Sequence, residues 1–212
     1  AAGFDKNAEA LIGLFNLGFG HIEAGTVTPK PQDGNPRPRV FRHPGTGSVI
    51  NRMGFPNQGA KAFKANLEKA LNHKPHPAGV LGINIGMNKS RRDPEKDYCQ
   101  LLKTLGPLAD YIAVNISSPN TPGLRRLQSR EYLLPLLESV LNERARSCGS
   151  MPPPLLVKLA PDLDDDQLGS IAEIFLEAKI DGMILTNTSL ERPADLPDTY
   201  ASQSGGLSGA PV

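Results

Sequence analysis

Five apolar runs punctuate the chain: "HIEAGTV" (21–27), "AGVLGINIG" (78–86), "ADYIAVNIS" (109–117), "PLLVKLA" (154–160) and "IDGMILTNT" (180–188). They are mostly continuous rather than alternating in polarity. A strand that is apolar on both faces is one covered on both sides, as parallel strands in α/β folds are. Around and between these runs the hydrophobic period lengthens to that of a helix. Residues 7–17 carry Ala10, Leu11, Leu14 and Phe15 on one side, with Gly18 as a stop. Residues 61–71 place Phe63, Leu67 and Leu71 four apart. Residues 93–105 and 133–146 repeat the stripe, with Pro135 in a first turn beginning near Leu133. Residues 164–179 present Leu168, Ile171, Phe175 and Ala178 on one face.

Strands alternating with helices across short joints predict a parallel α/β architecture with right-handed crossovers. An open doubly wound sheet and a (β/α)8 barrel both satisfy that pattern. The segment 28–54 breaks the rhythm with five prolines and no helix signal. Within it, "RVFR" and "SVINR" predict a small hairpin across a Pro-Gly-Thr-Gly turn. A long insertion after a strand's carboxyl end is expected to serve a binding site. The opening "AAGFDKNAEALIGLF" reads as though a strand preceded it, and the closing "GGLSGAPV" as a loop entering a helix. Both termini are therefore expected to be internal to a larger protein.

Composition narrows the class. At 212 residues, 39% hydrophobic, 21% charged and net charge +1, the chain can bury a full core, and it offers no charge argument for nucleic-acid binding. No apolar run approaches the ~20 residues that cross a bilayer, and no signal-peptide pattern opens the chain. Cys99 and Cys148 lack metal or redox spacing and read as reduced thiols of an intracellular setting.

Chemistry collects at the strand ends: Gly25 and Thr26, then Asn84, then Asn115, Ser117, Ser118 and Asn120, then Lys158, then Thr186, Asn187 and Thr188. The carboxyl ends of successive parallel strands face one mouth, so these residues are expected to share one site. That mouth has no histidine, no cysteine and no carboxylate cluster, which argues against a metal centre. The acidic run "DLDDD" (162–166) opens a helix and reads as capping. What remains is amides, hydroxyls and the cations Lys6 and Lys158, a set suited to a flat, polar heteroaromatic ligand. Rich in orienting groups and poor in acids and bases, it points to a cofactor that carries the difficult step.

The blocks "AAGFDKNAEA", "GTVTPKPQDGNPRPRVFR", "INRMGF", "GINIGMNK", "VNISSPNTPGLR", "VKLAPDL", "TNTSLERP" and "GGLSG" follow one another along the whole chain. Together they resemble dihydroorotate dehydrogenase of the membrane-associated, quinone-using class. The resemblance implies a (β/α)8 TIM barrel with FMN at its carboxyl mouth, of which this chain is the N-terminal and central portion. It implies oxidation of dihydroorotate to orotate in pyrimidine synthesis: a proton leaves one ring carbon, a hydride leaves its neighbour, and a quinone takes the electrons on. It also implies peripheral attachment to an inner membrane, the bacterial cytoplasmic membrane rather than the mitochondrial one, through a helical pair that these residues do not include. The family's glycine-rich last third is not included either.

Position by position, the resemblance assigns the catalytic base to Ser118, and a proton path behind it to Thr121 and Phe55. Substrate contacts fall on Lys6, Asn51, Arg52, Met53, Gly54, Phe55, Asn115, Asn120, Asn187 and Thr188. Flavin contacts fall on Ala2, Gly3, Gly25, Thr26, Asn84, Asn115, Lys158, Thr186, Ser208 and Gly209, with Lys158 placing positive charge near the flavin's pyrimidine edge. Ser117 reads instead as a turn hydroxyl bonding its own backbone. Pro119 and Pro122 are expected to stiffen the loop, and Gly123 to hinge a lid over 118–128. The rivals are a soluble fumarate- or NAD-linked relative, a dihydrouridine-type reductase, and a non-catalytic module of the same fold. Serine rather than cysteine at 118 argues against the first, and the lack of a basic stripe against the second.

Overall fold

The computed structural model describes residues 3–75, 78–90, 93–194 and 196–212. In chain order the elements are α1 (Leu11–Asn16), β1 (His21–Val27), β2 (Val40–His43), β3 (Ser48–Asn51), α2 (Gly59–Leu71), β4 (Val80–Ile85) and α3 (Pro94–Leu105). There follow β5 (Tyr111–Asn115), α4 (Arg130–Ser147), β6 (Leu155–Lys158), α5 (Asp165–Ala178), β7 (Gly182–Ile184), α6 (Asp198–Ala201) and β8 (Gly206–Gly209). The apolar runs form a five-stranded parallel sheet in the order β1-β4-β5-β6-β7. Spatial order follows chain order with no reversal. A doubly wound sheet reverses at a switch point, so this topology is an arc of an α/β barrel.

One continuous core lies between strands and helices, with Ile83, Ile85, Ile112, Val114, Leu155 and Val157 meeting Phe63, Leu67, Leu101, Leu137 and Ile174. The opposite, inward face of the strands carries the polar residues. Gly82 makes room there for the Tyr111 ring, since a Cβ at Gly82 would stand 1.9 Å from the ring carbon Cζ. The predicted hairpin forms as β2 and β3, joined through a 3₁₀ turn at Pro44–Thr46.

Several boundaries differ from the sequence reading. Residues 206–209 are not a loop entering a helix but β8, which pairs antiparallel with β3 to make a three-stranded sheet. Its small core is Ile50, Leu196, Tyr200 and Leu207. The Tyr200 hydroxyl accepts from Ile50 N at 2.9 Å and donates to Phe41 O at 2.7 Å. α1 begins at Leu11 rather than near residue 7, because Asp5 holds the Glu9 and Ala10 amides at 3.0 and 2.9 Å and wraps the preceding residues into a turn. α4 begins at Arg130, so Pro135 lies in its second turn; burial of Leu133, Leu136, Leu137 and Val140 carries the helix through. On α5 the buried set is Ile171, Ile174 and Phe175, while Leu168 is exposed. The capping reading of the acidic run fits for Asp164, which accepts from Gln167 N at 2.8 Å in a reciprocal capping box, but not for Asp162, whose carboxylate pairs with Arg125 instead.

Candidate functional site

The parallel strands carry polar side chains at or near their carboxyl ends. β5 ends at Asn115 and β6 at Lys158, which pair directly across the sheet. β1 carries an irregularity between Gly25 and Val27, so that Gly25 faces Asn84 and Val27 faces Ile85. The extra residue, Thr26, is thereby aimed at the mouth. The peptide bonds Gly25–Thr26 and Leu185–Thr186 are both cis.

Above these ends lies a cavity of about 750 Å³. It is lined by Gly3, Lys6, Gly25, Thr26, Asn51, Met53, Gly54, Phe55, Asn84, Asn115, Ser118, Asn120, Lys158, Thr186, Asn187, Thr188, Ser208 and Gly209. These are all the residues the resemblance singled out except Ala2, Arg52 and Thr121. Ala2 lies outside the described residues. Arg52 does not line the cavity: its guanidinium lies 4.5 Å from the centre of the Phe41 ring and donates to Gln203 and Ser204. Thr121 is buried beyond the lining, and its hydroxyl has no hydrogen-bond partner among the described residues. Phe55 reaches the cavity through a left-handed backbone, φ +51°.

An amide relay crosses the floor. Thr26 Oγ1 donates to Asn84 Oδ1 at 2.6 Å, and Asn115 Nδ2 donates to both Thr26 Oγ1 (3.1 Å) and Asn84 Oδ1 (3.2 Å). Asn187 Nδ2 donates to Ser117 Oγ at 3.0 Å, and Asn187 Oδ1 accepts from the Thr188 amide at 2.9 Å. From below, the fully buried Tyr98 donates its hydroxyl to Asn115 O at 2.8 Å, pinning the strand end. Buried amides partnered in this way hold one orientation each, which presets the donors and acceptors facing the cavity.

The two serines behave differently from the sequence reading. Ser117, read as the turn hydroxyl, donates to Asn115 Oδ1 at 3.3 Å and accepts from Asn187, so it belongs to the relay. It is Ser118 whose oxygen accepts the backbone N–H two residues on, that of Asn120, at 3.3 Å. The loop is held from the insertion as well: Asn120 Nδ2 donates to Asn51 Oδ1 at 3.3 Å, and Asn35 Nδ2 to Asn120 O at 3.1 Å.

Charge in the cavity is predominantly positive. Lys6, Arg42 and Lys158 line it, against Glu23 alone. Glu23 is engaged, accepting from Asn84 Nδ2 at 2.9 Å and Tyr111 OH at 3.0 Å. Burial, followed by the Glu23 carboxylate, raises the Tyr111 phenol far above its ordinary range, so it stays a donor. Lys158 is 8% exposed, and its ammonium has no hydrogen-bond or ion-pair partner among the described residues. That ammonium opens onto the cavity, where an anionic or acceptor-rich ligand can supply the partner that the protein does not. Lys6 has its pKa lowered, by burial and then by Arg39, with Asp5 opposing. No group of three or more metal-ligating side chains exists among the described residues.

Sequence reasoning missed Glu23 and the hairpin's Arg42 and Val49. Glu23 carried a usable signal, a lone charge inside an apolar strand, the same signal that singled out Lys158. Arg42 and Val49 join the cavity only because β3 pairs with β8, which nothing local announces.

The family model described as "Dihydroorotate dehydrogenase" matches residues 1–212. "Dihydroorotate dehydrogenase (quinone)" of Rhodospirillum rubrum is 51% identical over 212 residues, covering all of this chain and 56% of that protein. The mitochondrial "Dihydroorotate dehydrogenase (quinone)" of Mus musculus is 50% identical over 216 residues, again covering all of this chain and 54% of its own length. The chain thus spans about half the length of these curated relatives. Among solved structures, that of the Eimeria tenella enzyme in complex with ferulenol superposes with a TM-score of 0.93 at 41% identity, over all of this chain and 61% of that one. Sequence, topology and fold comparison agree: the chain belongs to the dihydroorotate dehydrogenase family.

Proposed function

We propose that the protein carrying this chain oxidises (S)-dihydroorotate to orotate in pyrimidine biosynthesis, with FMN bound over the strand ends and a quinone as electron acceptor. The observation that carries this reading is the convergence of Lys6, Asn51, Asn115, Ser118, Asn120, Lys158 and Asn187 on one cavity, in a chain of this family. The donor set suits a flavin: an ammonium at Lys158 facing the cavity without a partner among the described residues, preset amides at Asn84 and Asn115, and side-chain-free edges at Gly3, Gly25 and Gly209. Thr26, Thr186 and Ser208 complete that shell. When bound, the flavin supplies the hydride acceptor that no side chain can provide.

The chain's own residues do the rest. Lys6 meets the substrate carboxylate, while Asn51, Asn115, Asn120 and Asn187 grip its amide edges, with Met53, Gly54, Phe55 and Thr188 closing around it. Ser118 takes the ring proton. A hydroxyl is a weak base, and its oxygen gains from any donor that stabilises it as its own proton moves on; the Asn120 N–H is such a donor. The Thr121 hydroxyl, buried in the same loop without a hydrogen-bond partner among the described residues, is a candidate for the onward path, with Phe55 beside the cavity. Electron delivery to a quinone places the holoprotein peripherally on an inner membrane, bacterial or mitochondrial. Among the described residues no helix is long and apolar enough to cross one.

The test is spectroscopic. The purified holoprotein should be yellow, dihydroorotate should bleach it without oxygen, and a quinone should restore the colour. A colourless protein would leave the non-catalytic module as the better reading, and a yellow one whose flavin ignores dihydroorotate would leave another flavin-dependent reductase or that module.

Lys6 gives a pH signature. Because its pKa is lowered, the cation is lost at a lower pH than an ordinary lysine loses it. Orotate affinity should be flat on the acid side of that pKa and fall up to about tenfold per pH unit above it. Lys6→Ala should weaken orotate binding and abolish this fall. A Lys6→Ala variant that keeps the same pH dependence would remove Lys6 from the carboxylate contact.

A further inference from the structure

The loop bearing Ser118 is also fastened by an arginine that lies outside the cavity. Arg125 sits in the 3₁₀ turn Leu124–Gln128, just past Gly123, which has φ +75°. All three nitrogens of its guanidinium are used. Nε donates to Ser117 O at 3.1 Å, one terminal nitrogen to the Asp162 carboxylate at 2.7 Å, and the other to Thr188 O at 3.0 Å. Asp162 in turn accepts the Ser189 hydroxyl and the Leu190 N–H. One ion pair therefore ties together the loops following β5, β6 and β7.

This pair is not a loose surface contact. The two side chains are 21% and 17% exposed, and a planar fork addressing three acceptors is something arginine supplies and lysine does not. Burial would push the Asp162 carboxyl up, but the Ser189 hydroxyl, the Arg125 guanidinium and the Leu190 amide outweigh it and hold the group below the usual carboxylate range. The carbonyl that Nε captures is that of Ser117, which shares a planar peptide unit with the nitrogen of Ser118. Fixing that oxygen fixes the plane from which the Ser118 side chain departs. The second carbonyl belongs to Thr188, which lines the cavity beside Asn187.

We propose that Arg125, with Asp162 as its counter-ion, is a positioning residue that sets the reach of Ser118 by clamping the Ser117–Ser118 peptide against the β7 loop. The proposal rests on the reading of Ser118 as base. It predicts that Arg125 matters to the rate only while the serine hydroxyl is present.

The experiment is a double-substitution cycle on the holoprotein. It measures anaerobic bleaching by dihydroorotate and amide hydrogen exchange over residues 117–121. Arg125→Ala should slow bleaching about 10-fold to 100-fold, the loss expected when a reacting group is misplaced by about 1 Å, and should speed exchange in that segment. In a Ser118→Ala background the same substitution should cost less than about twofold, because effects routed through one residue do not add. Asp162→Asn, which keeps the side chain's shape, is read by the same cycle and decides the matter if Arg125→Ala does not fold. Equal losses in both backgrounds, or undiminished bleaching with Ser118 intact, would overturn the positioning role. A Ser118→Ala protein that bleaches at the normal rate would instead overturn the base assignment, while the exchange data would still report whether Arg125 holds the loop.

Discussion

Ser118→Ala in the holoprotein is expected to slow bleaching by dihydroorotate about 10²- to 10⁴-fold, with flavin content and orotate affinity nearly unchanged. The magnitude is that of losing a positioned base. The selectivity follows from the structure: Ser118 is 5% exposed and lines the cavity, but the amide relay across the floor runs through Ser117 and not through it. Removing Oγ therefore leaves Asn84, Asn115 and Asn187 where they are. It also frees the Asn120 N–H, whose 3.3 Å bond to that oxygen is the hydroxyl's one hydrogen bond among the described residues; beside a polar cavity that amide can be solvated, so the fold should lose little. Ser117→Ala makes the contrast. It takes a partner from Asn187 and should loosen substrate binding more than it slows the proton step. A Ser118→Ala protein that bleaches normally, measured in a single turnover, would dismiss the serine from its role.

Much of this was legible in the linear pattern, for a physical reason. Parallel strands covered on both sides must be apolar throughout, so a polar side chain at their carboxyl ends stands out against its neighbours. That contrast located Asn84, Asn115 and Lys158, and it would have located Glu23 had the same criterion been applied within β1. What stayed hidden depended on torsions or on distant pairing. Two adjacent serines are indistinguishable by type, and only the backbone decides that Ser118, not Ser117, bonds the amide two residues on. β8 reads "GLSG", with no β-branched residue, and earns its strand only by pairing with Ser48–Asn51 far upstream. Arg125 lies in a turn whose sequence says nothing of the carbonyls of Ser117 and Thr188 that it captures. Elements built from local pattern can be read from the chain; clamps and sheet edges built from long-range contacts cannot.

Gly25→Ala is expected to cost about 2–4 kcal/mol of stability, a loss of roughly 5–15 °C in Tm, and to empty the protein of flavin at any temperature where it still folds. Two costs combine. The backbone at Gly25 has φ +121°, a region that residues with a Cβ rarely occupy. The added Cβ would also stand 2.4 Å from Asn84 O and 3.1 Å from Val27 N, both backbone atoms that no rotamer change can move aside. Relief requires parting β1 from β4 at the bulge that aims Thr26 into the mouth. The 2.6 Å bond from Thr26 Oγ1 to Asn84 Oδ1 then goes, and with it the first link of the relay. Gly169→Ala on α5 is the control: among the described residues nothing beyond its chain neighbours and the helix's own backbone lies within 4 Å of the added Cβ, and its φ is ordinary, so the helix should gain about 0.5–1 kcal/mol. The measurement is paired thermal melting with flavin absorbance. A Gly25→Ala protein with an unchanged midpoint and a full complement of flavin would mean that the close approach of β1 to β4 is not what shapes the site.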